Sequence, residues 1–235
     1  MPREFECRRE ILLAATPEEV WDAVATAEGN AAWLFPHDID PGAAKAWEPP
    51  AHLHIRQERG DWFNALEFTI EAREGATTLM RYMHSGIFVD DWDTQYDGVS
   101  QHTDFYLHTL GEYLRHFQGR PVTYVGDVPM GIEAPDDTAR PGGFERVLRV
   151  LGLTDEASEG DQVRLTPAGL PAVSGVMNYR RPNFIGVRSN DALYCFFGRN
   201  AFGQPVAMSI HSFADGVDAE RAKRDWQRAL ADSLS

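Results

Sequence analysis

Apolar and polar residues alternate from the start of the chain. In EFECRREILLAA, Phe5, Cys7, Ile11 and Leu13 fall on one side and Glu4, Glu6, Arg8 and Glu10 on the other. A period of two predicts a strand with one wet face. The pattern changes in TPEEVWDAVATAEG, where Thr16 is placed to cap a helix, Pro17 to occupy its first position and Glu19 to complete a capping box. Val20, Val24 and Ala27 share one helical face, and Gly29 is expected to end the helix in the left-handed conformation.

From Ala32 to Phe88 the period returns mostly to two, with turns expected at DPG (Asp40 to Gly42), ERGD (Glu58 to Asp61) and REGA (Arg73 to Ala76). The strands are AHLHIRQ, ALEFTIEA and TTLMRYMHSGIF. In the second, Leu66, Phe68 and Ile70 oppose Glu67, Thr69 and Glu71; in the third, Met80, Tyr82 and His84 oppose Leu79, Arg81 and Met83. After Gly98 the period lengthens to about 3.6. Val99, Tyr106, Leu110, Tyr113, Leu114 and Phe117 then form one stripe of a long helix that Gly119 and Pro121 stop.

The order then recurs. PVTYVGDVP reads as a strand, and GGFERVLRVLG as a short helix with Phe144, Val147, Leu148 and Leu151 on one face and Gly152 at its end. Strand patterns follow in DQVRLTP, AVSGVMNYR, NFIGVRS, ALYCFFG and PVAMSIHSF. The last helix, DGVDAERAKRDWQRALADSL, has Asp218 as its N-cap and Ala222, Trp226, Ala229 and Leu230 as its buried stripe. DGV introduces the long helix in both halves, at Asp97 and at Asp215, an offset of 118 positions. A fixed offset between two copies of strand, short helix, strands and long helix predicts an α+β protein of two tandem domains, 1–120 and 121–235, the second divergent.

Strand, short helix, antiparallel run and long C-terminal helix together resemble the helix-grip fold of the START-like or SRPBCC superfamily. The sequence most resembles the bacterial form of the heat-shock protein 90 ATPase-activator homologue family. The residues that carry this are ILLAATPEEVWDAVATAEGNAAWL (Ile11 to Leu34), LMRYMHSGIF and FYLHTLGEYL (Phe105 to Leu114); they cover Phe5 to about Gln118, and the second half matches only in architecture. The resemblance implies an antiparallel sheet wrapped around the long helix with a pocket between them. Members use that pocket to bind lipids, hormones or polyketides, or to catalyse cyclase, aromatase or hydrolase reactions. The fold alone fixes none of these.

Composition narrows the classes. The 235 residues, 43% hydrophobic and 25% charged, describe an ordinary globular chain. A net charge of −14 opposes binding to phosphate backbones and anionic lipid, so neither nucleic acid nor membrane is expected as a partner. No apolar run approaches a membrane span and MPREFECRRE has no signal-like core, so a cytoplasmic location is expected. Cys7 and Cys195, far apart and without a C-x-x-C spacing, read as buried, inert thiols.

Candidate chemistry is sparse. His52 and His54 leave one strand face together and would share a metal if His37, Asp38 or His84 joined them; the alternative is an exposed polar face. Arg180, Arg181 and Arg188 would hold an anion or pair with the excess carboxylates. VDDWDTQYDG concentrates aspartates, but a calcium loop counted from Asp91 meets Gln95, Tyr96 and His102 where it needs an acid, a glycine and a glutamate. Asp97-Gly98 is expected instead to lead the chain into the long helix. Nucleophile-elbow, P-loop, dinucleotide and H-E-x-x-H signatures are absent.

These observations favour a binding protein for a small apolar or amphipathic ligand, without cofactor or metal. Its candidate contacts are Trp33, Phe35, Trp62, Met80, Tyr82, His84, Tyr106 and Leu110, with Tyr82 and His84 as the polar ones. Two alternatives stay open: a cyclase, dehydratase or hydrolase using His84 as acid or base, which needs a second titratable group beside it, and a protein-interaction module without ligand. A protein partner or a homodimer is left open as well.

Overall fold

A computed structural model of the chain describes residues 2–129, 141–153 and 156–234. They fall into two compact units, Met1–Arg120 and Pro121–Ser235.

The first unit runs β1 (Arg3–Leu13), α1 (Pro17–Ala25), α2 (Ala27–Ala31), β2 (Ala46–Glu48), β3 (His52–Arg59), β4 (Trp62–Arg73), β5 (Thr77–Phe88) and α3 (Trp92–His116). Its antiparallel sheet has the order β1-β5-β4-β3-β2, so the first strand pairs with the last. The helix-facing side carries cross-strand rows. Ile11, Met80 and Ile70 form one, and Arg9, Tyr82, Phe68 and Leu53 the next. Leu53, Phe68, Ile70 and Met80 pack in one core with Leu107, Leu110 and Leu114 of α3 and Val20 and Val24 of α1. Full burial of each such side chain contributes roughly 1.5–3 kcal/mol, which is what clamps the helix to the sheet. The outer side carries Glu6, Arg8, Glu10, Glu71 and Arg81, paired with one another: Arg8 with Glu6, and Arg81 with both Glu10 and Glu71.

Thr16 caps α1 as expected, in a full capping box with Glu19. The helix then breaks at Thr26, whose hydroxyl donates to Asp22 O at 2.7 Å and accepts from Gly29 N at 2.9 Å, starting α2. Gly29 is therefore not a left-handed terminator. It lies inside α2, where a Cβ would stand 2.0 Å from Asp22 O and 2.7 Å from Ala23 Cα. The glycine is required by the close approach of two helices, not by its φ.

The long helix also begins earlier than the change of period at Gly98 suggests. It starts at Trp92, after Asp91 in the left-handed region at φ 37°. Gly98 is buried within it, so Asp97-Gly98 is part of the helix and not the turn before it. Asp215-Gly216 does lie ahead of its helix, with Gly216 at φ 70°. The two DGV tripeptides therefore occupy different structural positions.

The tandem plan rests on topology instead. The second unit runs β6 (Thr123–Pro129), α4 (Gly143–Val150), β7 (Gln162–Leu165), β8 (Val173–Arg181), β9 (Phe184–Arg188), β10 (Ala192–Phe197), a 3-10 turn (Arg199–Phe202), β11 (Ala207–Ser212) and α5 (Ala219–Leu234). The sheet order β6-β11-β10-β9-β8-β7 repeats the first-with-last pairing with one strand more. Phe144, Val147 and Leu148 of α4 and Trp226 and Leu230 of α5 pack on Ile185, Val187, Phe196, Met208 and Ile210. Gly152, at φ 81°, closes α4, and Asp218 caps α5 by accepting from Arg221 N at 3.0 Å. Both units are helix-grip folds: an antiparallel sheet, a short helical insertion after the first strand, and a long C-terminal helix against one face. Among the described residues no helix is long and apolar enough to cross a membrane.

Candidate functional site

In the first unit the grip is not completely filled. A cavity of about 40 Å³ remains between α1 to α3 and the inner face of β3 to β5. At the ~10–15 Å³ one water needs, this is room for about three. Its apolar wall is Val24, Trp33, Leu34, Ile39, Ile55, Leu66, Phe68 and Leu107, and its polar groups are Asn30, His37, Tyr82, Thr103 and Tyr106.

Each polar group is placed by its own local structure. Tyr82 faces the helix because strand alternation sets it there with Met80 and His84. Its ring meets the Phe68 ring edge-on at 5.2 Å, and Thr103 of α3 shares the cavity wall with it. Burial pushes the Tyr82 phenol well above its ordinary value, so it stays protonated. Trp33, 2% exposed, is fixed by its indole N–H donating to Ala23 O at 2.9 Å. Asn30, 3% exposed, donates through Nδ2 to Val24 O at 3.1 Å and to Thr26 O at 2.9 Å.

One side of the cavity is closed by the irregular segment 34–45, which contributes Leu34, His37 and Ile39. Its ends are anchored by Leu34 N to Asn30 O and Lys45 N to His54 O. Between those points its backbone bonds stay within the segment, from Ala43 and Ala44 to Asp40 O. Side-chain contact holds this wall in place.

Of the candidate contacts named from the sequence, Trp33, Tyr82 and Tyr106 meet on the cavity wall. Met80 and Leu110, both 0% exposed, belong to the packed core next to it and do not line it. Phe35, 45% exposed, stands on the segment 34–45 with its ring edge towards His37. Trp62, 39% exposed, starts β4 opposite Arg59 and is off the wall. Trp62 is exposed because it begins its strand, and Phe35 because it stands on an irregular segment.

His84 shares the inner face with Tyr82 but lies off the cavity wall. Its Nε2 is 2.7 Å from Asn64 Oδ1 and its ring stands edge-on to Phe5 at 5.0 Å. Burial lowers its pKa to about 4, so it is neutral at pH 7 and donates to the amide oxygen. Asn64 does not titrate, so the second acid–base group that catalysis by His84 required is not supplied by this hydrogen bond.

The histidine pair fares similarly. His52 and His54 lie on the outer face, where His52 Nε2 meets Glu67 Oε1 at 2.8 Å. His37 lines the cavity and His84 faces the helix, so the sheet itself separates the four. Among the described residues no three His, Cys, Asp or Glu side chains converge. In the second unit, Arg181 pairs with Glu159 at 2.6 Å, the carboxylate alternative for that arginine. Cys7 and Cys195 are both buried and neither is in a disulfide.

Asn30 and Thr103 were not named from the sequence, and His37 was named only as a possible metal ligand. Thr103 was within reach, since it stands a helical turn before Leu107 and two before Leu110. Asn30 and His37 carried no periodic signal: one depends on the break at Thr26, the other on where an irregular segment crosses the sheet.

No family model matches the sequence and no curated protein matches it. Solved structures resemble it in part. The Aha1 dimer from Colwellia psychrerythraea is 17% identical over 49% of this chain and 99% of its own, with a TM-score of 0.40. The di-domain ARO/CYC BexL from the BE-7585A biosynthetic pathway is 13% identical over 98% of this chain and 99% of its own, with a TM-score of 0.39. DynU16, from the dynemicin biosynthetic locus, is 15% identical over 97% of this chain and 95% of its own, with a TM-score of 0.38. What the chain's own topology establishes is two successive helix-grip units, the first with a cavity inside its grip.

Proposed function

We propose that the first unit binds a small, mainly apolar molecule between its sheet and its long helix. The observation that supports this is the position and lining of the cavity: it lies where sheet and helix meet, its wall is mostly apolar, and a few polar groups converge on it. That combination is the usual form of a small-molecule site. Ligand pockets usually offer about 300–1,000 Å³, so a molecule larger than a single ring enters only if the segment 34–45 lifts. Its lack of backbone bonds to the sheet between its anchors makes such a movement inexpensive. The function is carriage or sensing of the ligand.

The test is native mass spectrometry of gently purified full-length protein, followed by thermal shift with toluene, cyclohexanol and phenol. A retained small molecule, or a rise in Tm with any of these probes, supports binding. No retained mass and no shift with any probe would overturn it.

A further inference from the structure

We infer that Asn30 selects the chemistry of the ligand, accepting a hydrogen bond from a hydroxyl or N–H group on a neutral molecule in the first unit's cavity. The inference rests on the binding proposed above.

Asn30 is 3% exposed and forms part of the cavity wall. Both hydrogens of its amide are engaged, at Val24 O and Thr26 O. Val24 O lies in the last turn of α1, where carbonyl oxygens lose their helical donors, and Thr26 O at the junction also accepts the backbone N–H of Asn30 at 2.9 Å. Turning the amide over would set its oxygen against two other oxygens, so its orientation is fixed. The group left over is Oδ1, and among the described residues no donor reaches it. On a residue 3% exposed this oxygen keeps a little accessible surface, and the cavity that Asn30 lines is a place from which a donor can come.

The rest of the wall restricts the charge of the visitor. Among the described residues no Asp, Glu, Lys or Arg lines the cavity. Arg9, the cross-strand neighbour of Tyr82, is held by Asp104 and Ser100. A carboxylate or phosphate brought inside would lose its hydration with no free cation to meet it. The Trp33 indole N–H is already engaged with Ala23 O. The ligand class is therefore a neutral, largely apolar alcohol, phenol or amide whose donor faces Asn30.

Three probes of similar size separate the possibilities on the full-length protein: phenol, toluene and benzoate, with Kd measured by NMR titration. Phenol is expected to bind at least tenfold more tightly than toluene, and benzoate at least tenfold more weakly than phenol, because a site built around a hydrogen bond rejects the analogue lacking it. In Asn30→Leu, checked for a cooperative melt, the preference for phenol over toluene should disappear. Should that variant not fold, an intermolecular NOE between phenol and the Asn30 side-chain amide in the wild type tests the same contact. Toluene binding as tightly as phenol would overturn the role of Asn30 and leave the binding site standing. Benzoate binding best would overturn the neutral class. Failure of all three probes would overturn the binding reading itself.

Discussion

The indole N–H of Trp92 donates to the backbone carbonyl of Glu4 at 3.0 Å, fastening the first turn of α3 to the free edge of β1. Tyr96, stacked on Trp92 at 4.7 Å, reaches the Glu6 carbonyl, and Arg9 reaches the carbonyl of Arg8. Arg3 lies over the other side of the indole at 4.0 Å. Alternate carbonyls along an edge strand are thus occupied by side chains. An open edge pairs readily with another chain, and this cover prevents it.

Trp92→Ala should expose that edge. Loss of one hydrogen bond and part of an aromatic burial is expected to cost about 1–2 kcal/mol. Sedimentation velocity should also detect larger, concentration-dependent species that the wild type does not form. A variant that loses stability yet stays at the wild-type sedimentation coefficient would show that the edge is protected by other means.

Gly29→Ala tests the junction of α1 and α2. The added Cβ would meet Asp22 O at 2.0 Å, a backbone atom that cannot rotate away. Overpacking of this kind costs typically 1–3 kcal/mol, and a backbone clash belongs at the upper end, near about 3 kcal/mol. The urea midpoint should fall accordingly. A midpoint within error of wild type would mean that the two helices separate freely, and with them the Asn30 amide that spans them.

The pH dependence of stability follows from His84. Its pKa falls from 6.5 in the unfolded chain to about 4 in the folded one, because burial disfavours the charged ring. The unfolded state therefore takes up the proton first, and stability falls as pH drops from about 6.5 towards 4; above 6.5 the group is silent. Between pH 7.5 and pH 5 the loss attributable to His84 should be about 2 kcal/mol, on the basis of 1.36 kcal/mol per unit. His84→Gln, which keeps a donor for Asn64, should lose less stability than wild type over the same interval. Equal slopes of urea-derived stability against pH in the two proteins would rule out a buried neutral His84.

How much of this the residues announce varies with the physical cause. The alternation of Phe5, Cys7 and Leu13, and of Leu66, Phe68 and Ile70, shows directly because a sheet with one wet face imposes it residue by residue. Thr16 and Glu19 show because a capping box is local. Gly98 misleads because a long helix, tied to β1 through Trp92 before it and buried at Thr103, Phe105 and Leu107 after it, absorbs one poor helix former, whose cost is only about 1 kcal/mol. Gly29 looks like a terminator because helix ends favour glycine, yet its reason is the neighbouring helix. Tyr82, Trp33 and Tyr106 were legible as polar or aromatic groups on an inward face. Asn30 was not, because its role depends on the helix break at Thr26, which brings its amide to the carbonyls of Val24 and Thr26.

Filling the cavity separates space from ligand chemistry. Val24 lines it from α1, and Val24→Ile adds one methylene on that wall. If the added group enters unfilled space, it should stabilise the unliganded protein by up to about 0.8 kcal/mol, the value of one buried methylene. The same group should weaken toluene and phenol alike, since it removes room and leaves the Asn30 acceptor untouched. Calorimetric Tm and probe titrations on one preparation read both effects. A rise in Tm with equal loss of both probes locates them in this cavity. A fall in Tm by more than the cost of one methylene would mean that Val24 is already packed on all sides. Unchanged probe affinities would place their binding elsewhere in the chain.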